Sequence, residues 1–207
     1  MNINKLKEAE RTFFMEYPQG FDTPEMVEMS KKHKMDKLVD FAKESFKPSA
    51  FNQVEETAEN MVKMVTRSSM VSLFEKPKFR DAVRGMRIDN KKILVAGLKE
   101  LIHGDEEKGF NQLLDILSEY KLAKWTLLTV FRCYYYPDKD LLFKPTTVKN
   151  VIKKYELEGL TYKPRPSYDF FVTYRENINA MKQQVDASLA PNNAAFSGFL
   201  MMTMGTE

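Results

Sequence analysis

Apolar residues recur at steps of three and four along nearly the whole chain. Leu6, Ala9, Phe13 and Tyr17 form one such row, and Met35, Leu38, Val39, Ala42 and Phe46 another. Val54, Ala58, Met61, Val62 and Val65 make a third; Leu94, Leu98, Leu101 and Ile102 a fourth; Phe110, Leu113, Leu114, Leu117 and Tyr120 a fifth. Phe171, Tyr174, Ile178, Met181 and Val185 add a late stripe. Each row lines one side of a helix, where it can leave water. The segment Lys124–Tyr136 differs. It is apolar around most of its circumference, interrupted chiefly by Lys124, Arg132 and small threonines, so it predicts a central helix anchored by the single tryptophan, Trp125.

The punctuation between the rows fits helices. Thr23 before Pro24 is a helix start. Asp89, Asp105 and Ser167 are N-cap candidates, and Glu106 and Glu107 put negative charge at a helix N-terminus. Gly104 and Gly159 stand where helices should stop. Sustained alternation of period two is missing, and Leu160–Tyr168, with two prolines, reads as an extended connector. The expectation is an all-α fold: one orthogonally packed domain spanning residues 1–207, about ten helices, little or no sheet. Soft boundaries near Pro77 or Asp138 lack a linker's composition.

Composition narrows the class. At 207 residues the chain can bury a sizeable core without staples, and its single cysteine, Cys133, cannot form an internal disulfide. A charged N-terminus and no long apolar run predict a cytoplasmic protein with no membrane segment. Two distant histidines, His33 and His103, cannot supply a zinc site, and Asp138 and Asp140 read as a solvated turn after Pro137. No nucleophile elbow, Walker loop or dinucleotide fingerprint is present, so no cofactor and no metal are expected.

The net charge of +3 is small, but it is unevenly spread. Residues 60–100 carry ten basic and four acidic groups, whereas residues 1–59 carry nine and twelve. Arg80, Arg84 and Arg87, spaced four and three apart, would share a face if Phe79–Met86 is helical, with Lys91 and Lys92 beside them. Guanidinium groups in a row suit phosphates, so this face is the candidate for nucleic acid or another polyanion; a solvated helix face balanced by Asp81 and Asp89 is the plainer alternative. A second candidate is the aromatic and basic stretch that includes Lys144, Lys149, Tyr162 and Arg165, where bases could stack while cations meet phosphates. Packing of the tyrosines, with Asn192 and Asn193 as hydroxyl partners, is the competing use. The tail, NNAAFSGFLMMTMGTE, must dock on its own core by default, or serve as a homodimer contact.

The phrases KWTLLTVF, FKPTTVKNVIKKY, LTYKPRPSYDFFVTYRENI and NNAAFSGFL together resemble a set of bacterial proteins that are helical and cytosolic and have no assigned activity. The resemblance covers residues 120–200. It implies no catalytic residue, but it marks Lys144, Pro145, Thr146, Lys149, Tyr162, Pro164 and Pro166 as positions of interest. The resulting expectation is a non-enzymatic binding module that meets a polyanion through the basic face. The alternatives are a glycosylase-like enzyme on nucleic acid, with Lys144 and Asp140 as the nearest candidates, and a structural protein that dimerises through its tail.

Overall fold

The structure is a computed structural model in which residues 1–204 are described. Among the described residues eleven α-helices follow one another: α1 (Ile3–Glu16), α2 (Pro24–His33), α3 (Met35–Ser45), α4 (Val54–Arg67), α5 (Glu75–Gly85), α6 (Ile88–His103), α7 (Glu106–Glu119), α8 (Trp125–Tyr135), α9 (Pro145–Lys154), α10 (Tyr168–Lys182) and α11 (Asn193–Met202). Short 3-10 turns lie at Gly20–Asp22, Pro48–Asn52 and Ala187–Leu189, and no strand occurs among the described residues. The all-α expectation holds. No described helix is long and apolar enough to cross a membrane.

The apolar rows face inward as their spacing requires. One continuous buried cluster runs from Leu6 to Leu200 and takes residues from both halves of the chain. Helix α8 is the central one: every residue from Trp125 to Tyr134 is buried. Trp125 stacks on Phe143 at 5.3 Å, and its indole N–H donates to the Lys163 carbonyl at 2.8 Å. That bond pins the connector 160–167, which has no regular secondary structure, against the start of α8.

Most capping expectations hold. Thr23 precedes α2, Asp105 accepts from the Lys108 amide at 3.0 Å, and Gly104 closes α6. Asp89 does not cap. Helix α6 starts two residues earlier than that cap would require, with Arg87 as its N-cap and Asp89 inside the first turn. The buried tyrosines also find other partners than Asn192 and Asn193. Tyr134 pairs with Ser68 at 2.8 Å, Tyr155 with Thr203 at 3.1 Å, and Tyr136 donates to the Ile102 carbonyl at 2.9 Å. Asn192 caps α11 instead, and Asn193 accepts from Lys182 and donates to Asn179.

The first and last described helices meet. The Asn2 amide donates to the Tyr155 carbonyl at 2.8 Å, and Phe13 of α1 meets Phe199 of α11 edge-on at 5.4 Å. Phe196, Phe199 and Leu200 are fully buried, and Lys154 Nζ donates to the Thr203 carbonyl. The tail thus docks on its own core up to Met204, while Met201 stays about half exposed at 51%. The tail's last three residues lie outside the described residues.

Candidate functional site

The basic face does not form the row that its spacing suggested. Helix α5 ends at Gly85, so Arg80 and Arg84 belong to α5 while Arg87 opens α6. Four of the five cations are engaged by acids. Arg80 pairs with Asp81 at 2.7 Å, Arg84 with Glu59 at 2.6 Å, Lys91 with Glu55 at 2.7 Å and Lys92 with Asp89 at 3.6 Å. Hydrogen bonding to Arg84 holds the Glu59 carboxyl below its ordinary range. The positive excess counted over residues 60–100 depended on where the count began. Helix α4 straddles that boundary, and its first half carries Glu55 and Glu59 directly onto the cations of α5 and α6. Arg87 alone of the five is exposed without an ion pair among the described residues.

The aromatic and basic stretch divides in two. Lys149 of α9 sits over the Tyr162 ring, its ammonium 5.7 Å from the centroid, and Arg165 is exposed in the connector. Lys144, the N-cap of α9, is in a different place, described below.

The reading of Asp138 and Asp140 as a solvated turn is corrected by the structure. Asp138 is exposed, but Asp140 is fully buried. One carboxylate oxygen accepts from Arg132 Nη2 at 2.8 Å and Nε at 3.1 Å, and the other from Arg175 Nη1 at 2.9 Å. Glu106 completes the group, 2.7 Å from Arg132 Nη2 and 2.8 Å from Arg175 Nη2, and also accepts from the Tyr168 hydroxyl at 3.0 Å. Two arginines face two carboxylates, so the cluster is neutral. Burial alone would lower Arg175 and raise Glu106. Their mutual hydrogen bonds and the neighbouring Asp140 and Arg132 charges reverse both, so Arg175 titrates above its ordinary value and Glu106 below. Burial and the Glu106 charge push the Tyr168 hydroxyl up to about 12. This sealed cluster ties α7, α8, α10 and the α8–α9 loop together. Asp140, fully buried and held by both arginines, is not available as a catalytic acid beside Lys144.

Lys144 instead lines a cavity of about 520 Å³ between the α4–α5 loop and the starts of α8 and α9. The loop is anchored by the buried Ser68, whose hydroxyl pairs with Tyr134 and accepts from the Met70 amide at 3.2 Å. Ser72 turns the chain into α5: its carbonyl accepts from the Glu75 and Lys76 amides. Between these fixed points the loop tip holds Leu73 and Phe74 out in water, 79% and 82% exposed. Covering such side chains is worth roughly 1.5–3 kcal/mol each. Ser69, Met70, Leu73, Glu75, Thr126 and Lys144 all contribute to the cavity wall.

Two charged side chains of opposite sign line this cavity, Lys144 and Glu75. Lys144 is half-buried and has no acidic partner among the described residues. Its ammonium is held below the ordinary lysine value by burial. Glu75 accepts from the Thr126 hydroxyl at 3.0 Å through both oxygens and meets no lysine or arginine. His33, whose ring Nδ1 pairs with Ser69 Oγ at 2.8 Å, stands close enough to feel Lys144. Its pKa is lowered first by partial burial and then by that charge. Sequence reasoning found Lys144 but not its companions. Glu75, Ser69 and His33 come from segments far away in the chain, and no local spacing announces them.

A second, smaller cavity of about 260 Å³ lies beside Trp125 and Phe170. Cys133 is fully buried, and burial pushes its thiol up to about 12, so it is no nucleophile near neutrality. Among the described residues, no three histidine, cysteine, aspartate or glutamate side chains are grouped to hold a metal. Comparison with known proteins gives no match to any family model, curated protein or solved structure, so the resemblance over residues 120–200 is not attached to a family.

Proposed function

We propose that this chain is a binding protein for a small anionic ligand with an apolar body, and that Lys144 is the residue that meets the anion. The observation that carries the reading is a half-buried ammonium without a carboxylate partner, facing a cavity large enough for a ligand. An unpaired charge held partly out of water is costly, and an incoming anion offsets that cost. The Ser69 hydroxyl can orient the ligand, and Leu73 with Phe74 can cover its apolar part.

Calorimetric titration with 3-phenylpropionate, using its neutral amide as control, tests this reading. The carboxylate is expected to bind and the amide to bind at least tenfold more weakly. Lys144→Gln should abolish the difference. Equal binding of the two compounds, or an unchanged preference in K144Q, would overturn the assignment. The sign with pH follows from linkage. The anion prefers protonated Lys144, so affinity is retained below the Lys144 pKa for as long as the ligand stays a carboxylate, and is lost as pH rises through the Lys144 pKa. That loss begins below the ordinary lysine value of about 10.4, because burial lowers this group.

Contact with nucleic acid across Arg80, Arg84, Arg87, Lys91 and Lys92 is a second reading. It is favoured by one observation, the exposed and unpaired Arg87. Phosphates reaching the other four must compete with Glu55, Glu59, Asp81 and Asp89, although exposed ion pairs of this kind are worth only about 0–1 kcal/mol. Fluorescence anisotropy with a labelled oligonucleotide is expected to show weak binding even at low salt. Tight binding with a steep salt slope, lost in Arg84→Ala and Arg87→Ala, would move the function to this face.

A further inference from the structure

We infer that the ligand of the Lys144 cavity is a zwitterion, a free α-amino acid with an apolar side chain. This inference rests on the anion-binding reading of the same cavity and adds the group that faces Glu75.

Two opposite charges line this cavity, and they do not neutralise each other. Among the described residues, Lys144 forms no ion pair and Glu75 is satisfied by the Thr126 hydroxyl alone. Arg84 closes onto Glu59 and Lys91 onto Glu55, whereas Lys144 and Glu75 close onto no opposite charge among the described residues. Here both residues stand at the beginning of a helix. Glu75 is the first residue of α5 and is tethered to the start of α8, while Lys144 is the N-cap of α9. A ligand carrying only an anion would leave Glu75 facing added negative charge. A ligand carrying only an ammonium would do the same to Lys144. A molecule with both groups can bridge them: its carboxylate accepts from Lys144 and its ammonium donates to Glu75, each in a charge-assisted hydrogen bond. In an α-amino acid those groups share one carbon, so the side chain leaves from the same point. Met70 and Leu73 in the wall, and Phe74 beside them, give that side chain an apolar contact.

Discrimination is the expected consequence. A site that hydrogen-bonds a polar group rejects the analogue lacking it, because its own charge is then left unpaired. Three ligands matched in shape make the test on the unaltered chain: L-phenylalanine, 3-phenylpropionate without the ammonium, and phenethylamine without the carboxylate. Calorimetry is expected to rank L-phenylalanine at least tenfold above each of the other two. Glu75→Gln retains an acceptor for Thr126, so the fold should survive, as circular dichroism would check. In E75Q the preference for L-phenylalanine over 3-phenylpropionate should fall to near unity, while 3-phenylpropionate itself binds no more weakly than before. If 3-phenylpropionate binds the unaltered chain as tightly as L-phenylalanine, the zwitterion inference is wrong and the anion reading stands. If phenethylamine binds best, or if none of the three binds, both are wrong. The ligand series needs no variant, so it decides the matter even if E75Q does not fold.

Discussion

Replacing Asp140 with alanine is expected to destabilise the protein by about 3–5 kcal/mol, the range found when one partner of a buried ion pair is removed. The carboxylate is fully buried and accepts from both Arg132 and Arg175. Without it, two guanidinium groups share Glu106 as their single neutralising acid, and the low-dielectric surroundings make the surplus positive charge expensive. Arg132 cannot swing out to water. Its Nη1 is bound to the Leu101 carbonyl at 2.5 Å and its guanidinium lies over the Tyr136 ring. Urea unfolding should show the loss as a lower midpoint at unchanged slope. Asp140→Asn should be nearly as damaging, since its amide would present donors to arginines that are already donors. A combined Arg132→Met and Asp140→Leu replacement leaves the Arg175–Glu106 pair intact and balanced. It should therefore cost clearly less than the two single changes added together. A loss below about 1 kcal/mol in D140A would mean that the cluster does not hold these helices as described.

This cluster also marks how far the sequence could be read. The helical rows were visible because burial imposes its period directly on the chain, and α4, α6, α7 and α10 follow their stripes closely. Arg132 was visible too, as a charge inside an otherwise apolar helix, and such a residue demands an acid. Its acids were not legible. Asp140 lies in a polar stretch after a proline, where a solvated turn is the common outcome, and Glu106 resembled an ordinary first-turn carboxylate. The choice between a dipole partner and a buried counter-ion is made by tertiary packing. The same limit explains the basic face. Charges were counted along the chain, whereas α4 brings Glu55 and Glu59 across to Lys91 and Arg84. The cavity fared no better, for Lys144 and Glu75 are joined by nothing local. Its anchoring bond, Ser68 to Tyr134, spans 66 residues.

A second large effect is expected at Gly109, where α7 crosses α6. An alanine Cβ there would stand 2.1 Å from the Leu101 amide nitrogen, 2.6 Å from its Cα and 2.7 Å from the Glu100 carbonyl carbon. These are main-chain atoms of the neighbouring helix, so no rotamer change can make room. Alanine gains about 1 kcal/mol of helix propensity over glycine, yet the two helices must separate to accept it. Overpacking of this kind costs typically 1–3 kcal/mol and occasionally more. A Cβ 2.1 Å from a main-chain nitrogen puts this case at the upper end and beyond, at a gross cost of about 3–4 kcal/mol, so Gly109→Ala is expected to lose about 2–3 kcal/mol net. At about 2–4 °C per kcal/mol for a chain of this size, the melting temperature should fall by roughly 4–12 °C. The damage should spread, because Glu106 lies one turn before Gly109 and the Leu101 carbonyl accepts from Arg132. Separating α6 from α7 therefore pulls two partners away from the buried arginines. Gly109→Ala and Asp140→Ala should consequently be non-additive when combined, each having already weakened what the other removes. Gly85 supplies the control. It is the last residue of α5, and a Cβ there meets nothing within 4 Å, so Gly85→Ala should be neutral or slightly stabilising. Equal melting temperatures for G109A and the unaltered chain would show that α6 and α7 have room between them, and the close crossing that positions Glu106 would have to be abandoned.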